Sequence, residues 1–112
     1  MNRDNRLQFG DVILINFPFT DFSEYKKRPC LVLKENRDDI LVCFISSRID
    51  KREKDDLIIK MDAVNKLKQD SILKVWKINT VHKAMFDRVL GRLSDSDIAE
   101  VKKYLLALIR SI

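Results

Sequence analysis

The stretch Pro29-Cys30-Leu31-Val32-Leu33-Lys34-Glu35-Asn36-Arg37-Asp38-Asp39-Ile40-Leu41-Val42-Cys43-Phe44-Ile45 decides the fold. Two short apolar runs flank the turn-prone Asn36-Arg37-Asp38-Asp39, and that pattern predicts a β-hairpin. Counting outward from the turn along two antiparallel strands brings Arg28, just before the first run, beside Ser46, just after the second.

Upstream, Gly10-Asp11 opens Val12-Ile13-Leu14-Ile15-Asn16-Phe17, whose β-branched content without helical polar spacing predicts a strand buried on both faces. Pro18 ends or edges that strand. The polar residues 20–27 then form a loop leading back to the hairpin.

Downstream, the charged residues 50–56 read as a mixed-sign loop, followed by a short strand over Leu57-Ile58-Ile59-Lys60-Met61. A brief helical or irregular stretch is expected at residues 63–68. Apolar and basic residues alternate over Leu73-Lys74-Val75-Trp76-Lys77-Ile78, as in a strand with one face on the core, so Lys74 and Lys77 are expected to point outward, though not both to one face. The last segment is a helix: Ser94 and Asp97 form a start resembling a capping box, and Ile98, Val101, Leu105, Leu108 and Ile112 recur at spacings of three and four. At least five short strands followed by one helix, without βαβ alternation, predict a mostly antiparallel barrel or curled sheet with a C-terminal helix.

The 112 residues fit a single domain, residues 1–112, with 46% hydrophobic and 35% charged residues. Lys and Arg exceed Asp and Glu by 22 to 17, a net charge of +5 that favours polyanionic partners. No apolar run approaches the roughly 20 residues of a membrane-spanning helix, and the first residues lead into no signal-like core, so a soluble cytoplasmic protein is expected. Cys30 and Cys43 lie inside apolar runs and are read as small core residues.

These side chains restrict the chemistry. The acids cluster in the 38–39 turn, the 50–56 loop and the final helix, which argues against carboxylates converging on a metal, and no cofactor is implied. His82 is the only histidine, so a single chain cannot supply a two-imidazole acid and base, and a surface or packing role is favoured. Ser46 and Ser47 sit in no nucleophile-elbow sequence. A basic site remains: Lys26, Lys27 and Arg28 precede a strand, and Pro29 would hold the Arg28 guanidinium for bidentate contact with a phosphate. Attack by an RNA 2′-hydroxyl needs proton transfer and positive charge at phosphorus but no metal, and an arginine with a nearby hydroxyl meets that need. Phe19, Phe22, Tyr25 and Trp76 are candidates to stack on unpaired bases, although core packing is the favoured role for Phe19 and Trp76.

The sequence resembles the PemK/MazF toxins. The resemblance runs through residues 10–21, Lys27-Arg28-Pro29-Cys30-Leu31-Val32-Leu33, Phe44-Ile45-Ser46-Ser47-Arg48-Ile49, Asp70-Ser71-Ile72-Leu73, Asn79-Thr80-Val81-His82-Lys83 and Leu90-Gly91-Arg92-Leu93-Ser94. It implies an SH3-like β-barrel and a metal-independent endoribonuclease that cuts single-stranded mRNA and leaves a 2′,3′-cyclic phosphate. It also implies a homodimer whose groove binds RNA and is silenced by a cognate antitoxin with an acidic segment. By resemblance Arg28 is the catalytic arginine, and Ser46 takes the position of a catalytic threonine, keeping the hydroxyl without its methyl. Phe19, Thr20, Glu24, Tyr25, Lys26, Lys27, Ser47, Arg48, Lys77 and Thr80 are the candidate RNA contacts, with Glu24 standing for the acidic residue of the first loop. Alternatives are a non-catalytic RNA-binding module or a gyrase-targeting toxin on the same fold, and a regulatory dimer whose basic loop meets an acidic protein.

Overall fold

The computed structural model describes residues 6–18 and 25–112. Six strands form one antiparallel sheet: β1 (Asp11–Pro18), β2 (Tyr25–Asn36), β3 (Asp39–Ser46), β4 (Leu57–Ile59), β5 (Ser71–His82) and β6 (Phe86–Arg92). Their spatial order is β4-β5-β3-β2-β1-β6, and helix α1 (Asp95–Arg110) follows.

The predicted hairpin is the centre of this sheet. Cys30 pairs with Phe44 and Asn36 with Asp39, and Arg37 takes a φ of +54° to turn the chain. Buried residues alternate onto the two faces of the central strands. Val12, Leu31, Cys43 and Ile45 join one cluster with Leu73, Leu93 and Val101 of α1; Ile13, Cys30, Val32, Ile40 and Val42 join a second. Strands covered on both sides read as nearly continuous apolar runs, which explains the sequence pattern.

The edges β4 and β6 are joined through residues between β4 and β5: the Arg92 N–H donates to the Val64 carbonyl at 3.0 Å, so the sheet curls toward a barrel. This approach demands Gly91, because a Cβ there would collide with the Val64 carbonyl oxygen. A bulge in β6 between the Val12–Gly91 and Ile13–Val89 pairs lets the strand bend at this point.

Helix α1 starts as expected, with Ser94 Oγ accepting from the Asp97 N–H at 3.2 Å. Val101 is buried, and Ile98 and Leu105 pack on the same cluster, whereas Ile112 lies beyond the helix and is exposed. Gly10 has a φ of +97° and leaves no room for a Cβ, which would stand 2.7 Å from Ile98 Cδ1. Next to it, buried Asp11 accepts from Arg92 Nη1 at 3.2 Å and ties β1 to β6.

The structure departs from the sequence pattern at several points. The strand expected to end at Met61 stops at Ile59, while residues 63–68 take the irregular of the two forms expected, with a turn at 63–65. β5 extends to His82, and β6 is a strand that the pattern does not predict. Lys74 does not point into solvent: its Nζ lies 2.9 Å from Oδ2 of Asp56, a carboxylate that is 0% exposed. Trp76 is not a core residue but is 41% exposed, with its indole N–H donating to Asp56 Oδ1 at 3.3 Å. His82 has the bland role expected of it, its Nδ1 accepting from the Ala84 N–H at 2.9 Å.

Candidate functional site

Arg28 and Ser46 stand two residues beyond the Cys30–Phe44 pair, one on each hairpin strand. The structure brings them together: both line a cavity of about 670 Å³ and also a neighbouring one of about 400 Å³ that is closed by Phe17, Phe44 and Ile45. Phe17 and Phe44, which line the smaller cavity with Arg28, pack edge to face at 5.2 Å between ring centroids. The larger volume falls within the roughly 300–1,000 Å³ of ligand sites.

Among the described residues the larger cavity carries seven basic side chains, Lys26, Lys27, Arg28, Arg48, Lys66, Lys68 and Arg88, and no acidic one. Their charges are engaged to different degrees. Lys27 pairs with Asp87 across the sheet at 3.2 Å, and the same carboxylate lies 4.0 Å from Arg88. Arg48 forms two hydrogen bonds to Asp50, each 3.1 Å, and the Asp50 bond raises the guanidinium further above its ordinary value. Among the described residues no carboxylate pairs with Lys26, Arg28, Lys66 or Lys68. Cations left without counter-charge around a concavity are the footprint of an anionic ligand.

Ser46 ends β3, and its Oγ accepts from the Arg48 backbone N–H at 3.1 Å. This contact orients the oxygen and leaves the hydroxyl hydrogen to be donated to a ligand. Ser47 and Arg48 follow on the rim, before a short 3-10 turn, Ile49–Lys51. The loop closes on Asp56, which also accepts from the Glu53 N–H at 2.9 Å. Burial alone would raise the Asp56 carboxyl, but hydrogen bonds from Lys74, Glu53 and Trp76, with the Lys74 charge, hold it below the ordinary carboxylate range. That bond to Asp56 in turn raises the Lys74 ammonium against the effect of burial.

Lys77 and Thr80 line neither cavity. Lys77 lies over the Trp76 ring at 5.1 Å, and Thr80 pairs with Leu41, five residues along β3 from Ser46. Phe19, Thr20, Phe22 and Glu24 lie outside the described residues, while the backbone of Tyr25 pairs with Pro18. Lys66, Lys68 and Arg88 are cavity residues that sequence reasoning misses. The signal present is the basic pair in Lys66-Leu67-Lys68, but only the fold brings it to the hairpin. Cys30 and Cys43 are buried free thiols, both pushed up to about 12 by burial, with a smaller contribution from Cys43 at Cys30. Among the described residues no three metal-ligating side chains converge.

Comparison with known proteins points the same way as this geometry. Residues 8–109 match the model of the PemK-like, MazF-like toxins of type II toxin–antitoxin systems. No curated protein matches the sequence. The fold is shared with a chain of a MazE–MazF crystal structure from Deinococcus radiodurans, at a TM-score of 0.73 and 18% identity, over 95% of this chain and 97% of that one. Mycobacterium tuberculosis toxin MazF-mt6 is similar at a TM-score of 0.69 and 19% identity, over 89% and 96% of the two chains. An endoribonuclease in complex with its cognate antitoxin from a mycobacterial species aligns at a TM-score of 0.67 and 14% identity, over 95% of each.

Proposed function

This chain belongs to the PemK-like, MazF-like toxins of type II toxin–antitoxin systems, and from that membership we propose that it is a metal-independent endoribonuclease acting on single-stranded RNA. The observation that carries this reading is the Arg28–Ser46 pair on a cavity lined, among the described residues, by cations and no acid. In the proposed reaction the 2′-oxygen attacks the adjacent phosphorus and the bond to the 5′-oxygen breaks. The 2′-hydroxyl gives up its proton to solvent water and the departing 5′-oxygen takes one up from it, so the products are a 2′,3′-cyclic phosphate and a 5′-hydroxyl.

Arg28 neutralises the charge that builds on the non-bridging oxygens, where a fixed guanidinium acts most strongly. Ser46 donates its hydroxyl hydrogen to the same phosphate. The chain acts in the cytoplasm as a homodimer, and its antitoxin covers the basic surface with an acidic segment. An endoribonuclease in complex with its cognate antitoxin and a MazE–MazF crystal structure, both similar in fold, support an antitoxin partner by analogy. No helix among the described residues is long and apolar enough to cross a membrane.

The test is incubation of purified protein with a long single-stranded RNA in excess chelator, with new ends mapped by primer extension. Discrete cuts ending in cyclic phosphate are expected. RNA left intact would favour a binding module instead.

A further inference from the structure

The chain between β4 and β5 is held more firmly than its lack of regular structure would suggest. Lys66 has a φ of +56°, a conformation that disfavours a side chain and that persists where the surroundings enforce it. The surroundings are explicit. Asn65 is 0% exposed; its Oδ1 accepts from the Asp62 and Leu67 N–H groups at 3.1 and 2.9 Å, and its Nδ2 donates to the Lys60 carbonyl at 2.9 Å. Lys66 N–H donates to the Asp62 carbonyl at 3.1 Å, and the neighbouring Val64 carbonyl is tied to Arg92. Leu67 is buried in the core cluster. Lys66 and Lys68, on either side of that anchor, reach the same cavity as Arg28 and Ser46, with no carboxylate partner among the described residues.

We propose that Lys66 and Lys68 form a phosphate-holding subsite that grips the RNA backbone beside the scissile phosphate. This rests on the ribonuclease reading and names where that substrate is held. A turn fixed in advance loses little conformational freedom on binding, so its two charges act in ground-state and transition-state complexes alike. Their place inside the concavity with the reacting pair, rather than on an outer face, favours the nucleic acid over an acidic peptide as their ligand.

The test uses the full-length protein with the double substitution Lys66→Asn and Lys68→Gln, since Asn tolerates the left-handed backbone. Cleavage kinetics are followed, as is binding of the cleaved RNA segment made 2′-O-methyl so that it cannot cyclise. KM should rise about tenfold at low salt with kcat nearly unchanged, as expected when uniform binding is removed. The slope of log affinity against log salt should fall by about 0.7 for each phosphate that the variant no longer neutralises. Lys66→Arg with Lys68→Arg should restore both, and Lys34→Gln, exposed and outside the cavities, should alter neither. Unchanged KM and slope in the double variant, with wild-type cleavage intact, would overturn the subsite alone. So would weakened binding of an acidic antitoxin peptide with RNA kinetics untouched. A wild-type protein that neither cuts nor binds RNA would overturn the ribonuclease reading and the subsite together.

Discussion

Two lysine-bearing corners of this small sheet use the same charge in opposite ways. In one, Lys74 is nearly enclosed and bonded to fully buried Asp56, which also takes the Trp76 indole and the Glu53 amide. In the other, Lys26, Arg28, Lys66 and Lys68 surround a cavity with no carboxylate partner among the described residues. The first corner satisfies its charges internally and stabilises a loop. The second leaves them for a ligand, an arrangement that contributes nothing to folding and is expected where the ligand is itself an anion.

The contrast breaks most visibly at Asp56. Asp56→Ala should cost about 1–3 kcal/mol of unfolding free energy, because it removes the acceptor of the Lys74 ammonium, the Trp76 indole and the Glu53 amide and leaves Lys74 only the Glu53 carboxylate at 3.7 Å. Urea denaturation measures it, and Lys74→Met in the same background should recover part of the loss. Arg28→Ala should do the reverse, lowering kcat about 10²- to 10³-fold while shifting stability by less than about 0.5 kcal/mol, as for an exposed side chain. Ser46→Ala should follow with about a 10- to 100-fold loss of turnover, and Ser46→Thr should retain activity.

Acid sharpens the same comparison more gently. The Asp56 carboxyl titrates lower in the folded chain than in the unfolded one, so its contribution is complete above the ordinary value of about 3.9. It is lost as pH falls from there through the lowered folded value. Melting temperature measured against pH should therefore decline less steeply on the acid side in Asp56→Asn than in the wild type. The smallest effect concerns the thiols: with both pushed up to about 12, neither Cys30 nor Cys43 should react with a thiol reagent near neutral pH until the protein is unfolded.

How legible each corner is in the sequence follows from the range of its interactions. The hairpin and the Ser94 cap depend on neighbours in the chain, so the apolar runs and the turn residues predict them, and with them the meeting of Arg28 and Ser46. Lys74 and Trp76 mislead because strand alternation tells which side a residue faces, not what waits there, and Asp56 lies some twenty positions away. β6 escapes the pattern because its bulges break the two-residue period. Lys66 and Lys68 stay hidden because their route to the cavity depends on Asn65 being buried and on Gly91 admitting the Val64 carbonyl, contacts invisible without the fold.

If the unpaired cations serve the chemistry of RNA, Arg28 must carry it. The most direct measurement is single-turnover cleavage of one mapped RNA by wild type and Arg28→Ala, both in excess chelator and both verified as folded. The variant should bind the RNA and leave it nearly uncut. Cleavage by Arg28→Ala at the wild-type rate and positions would contradict that role.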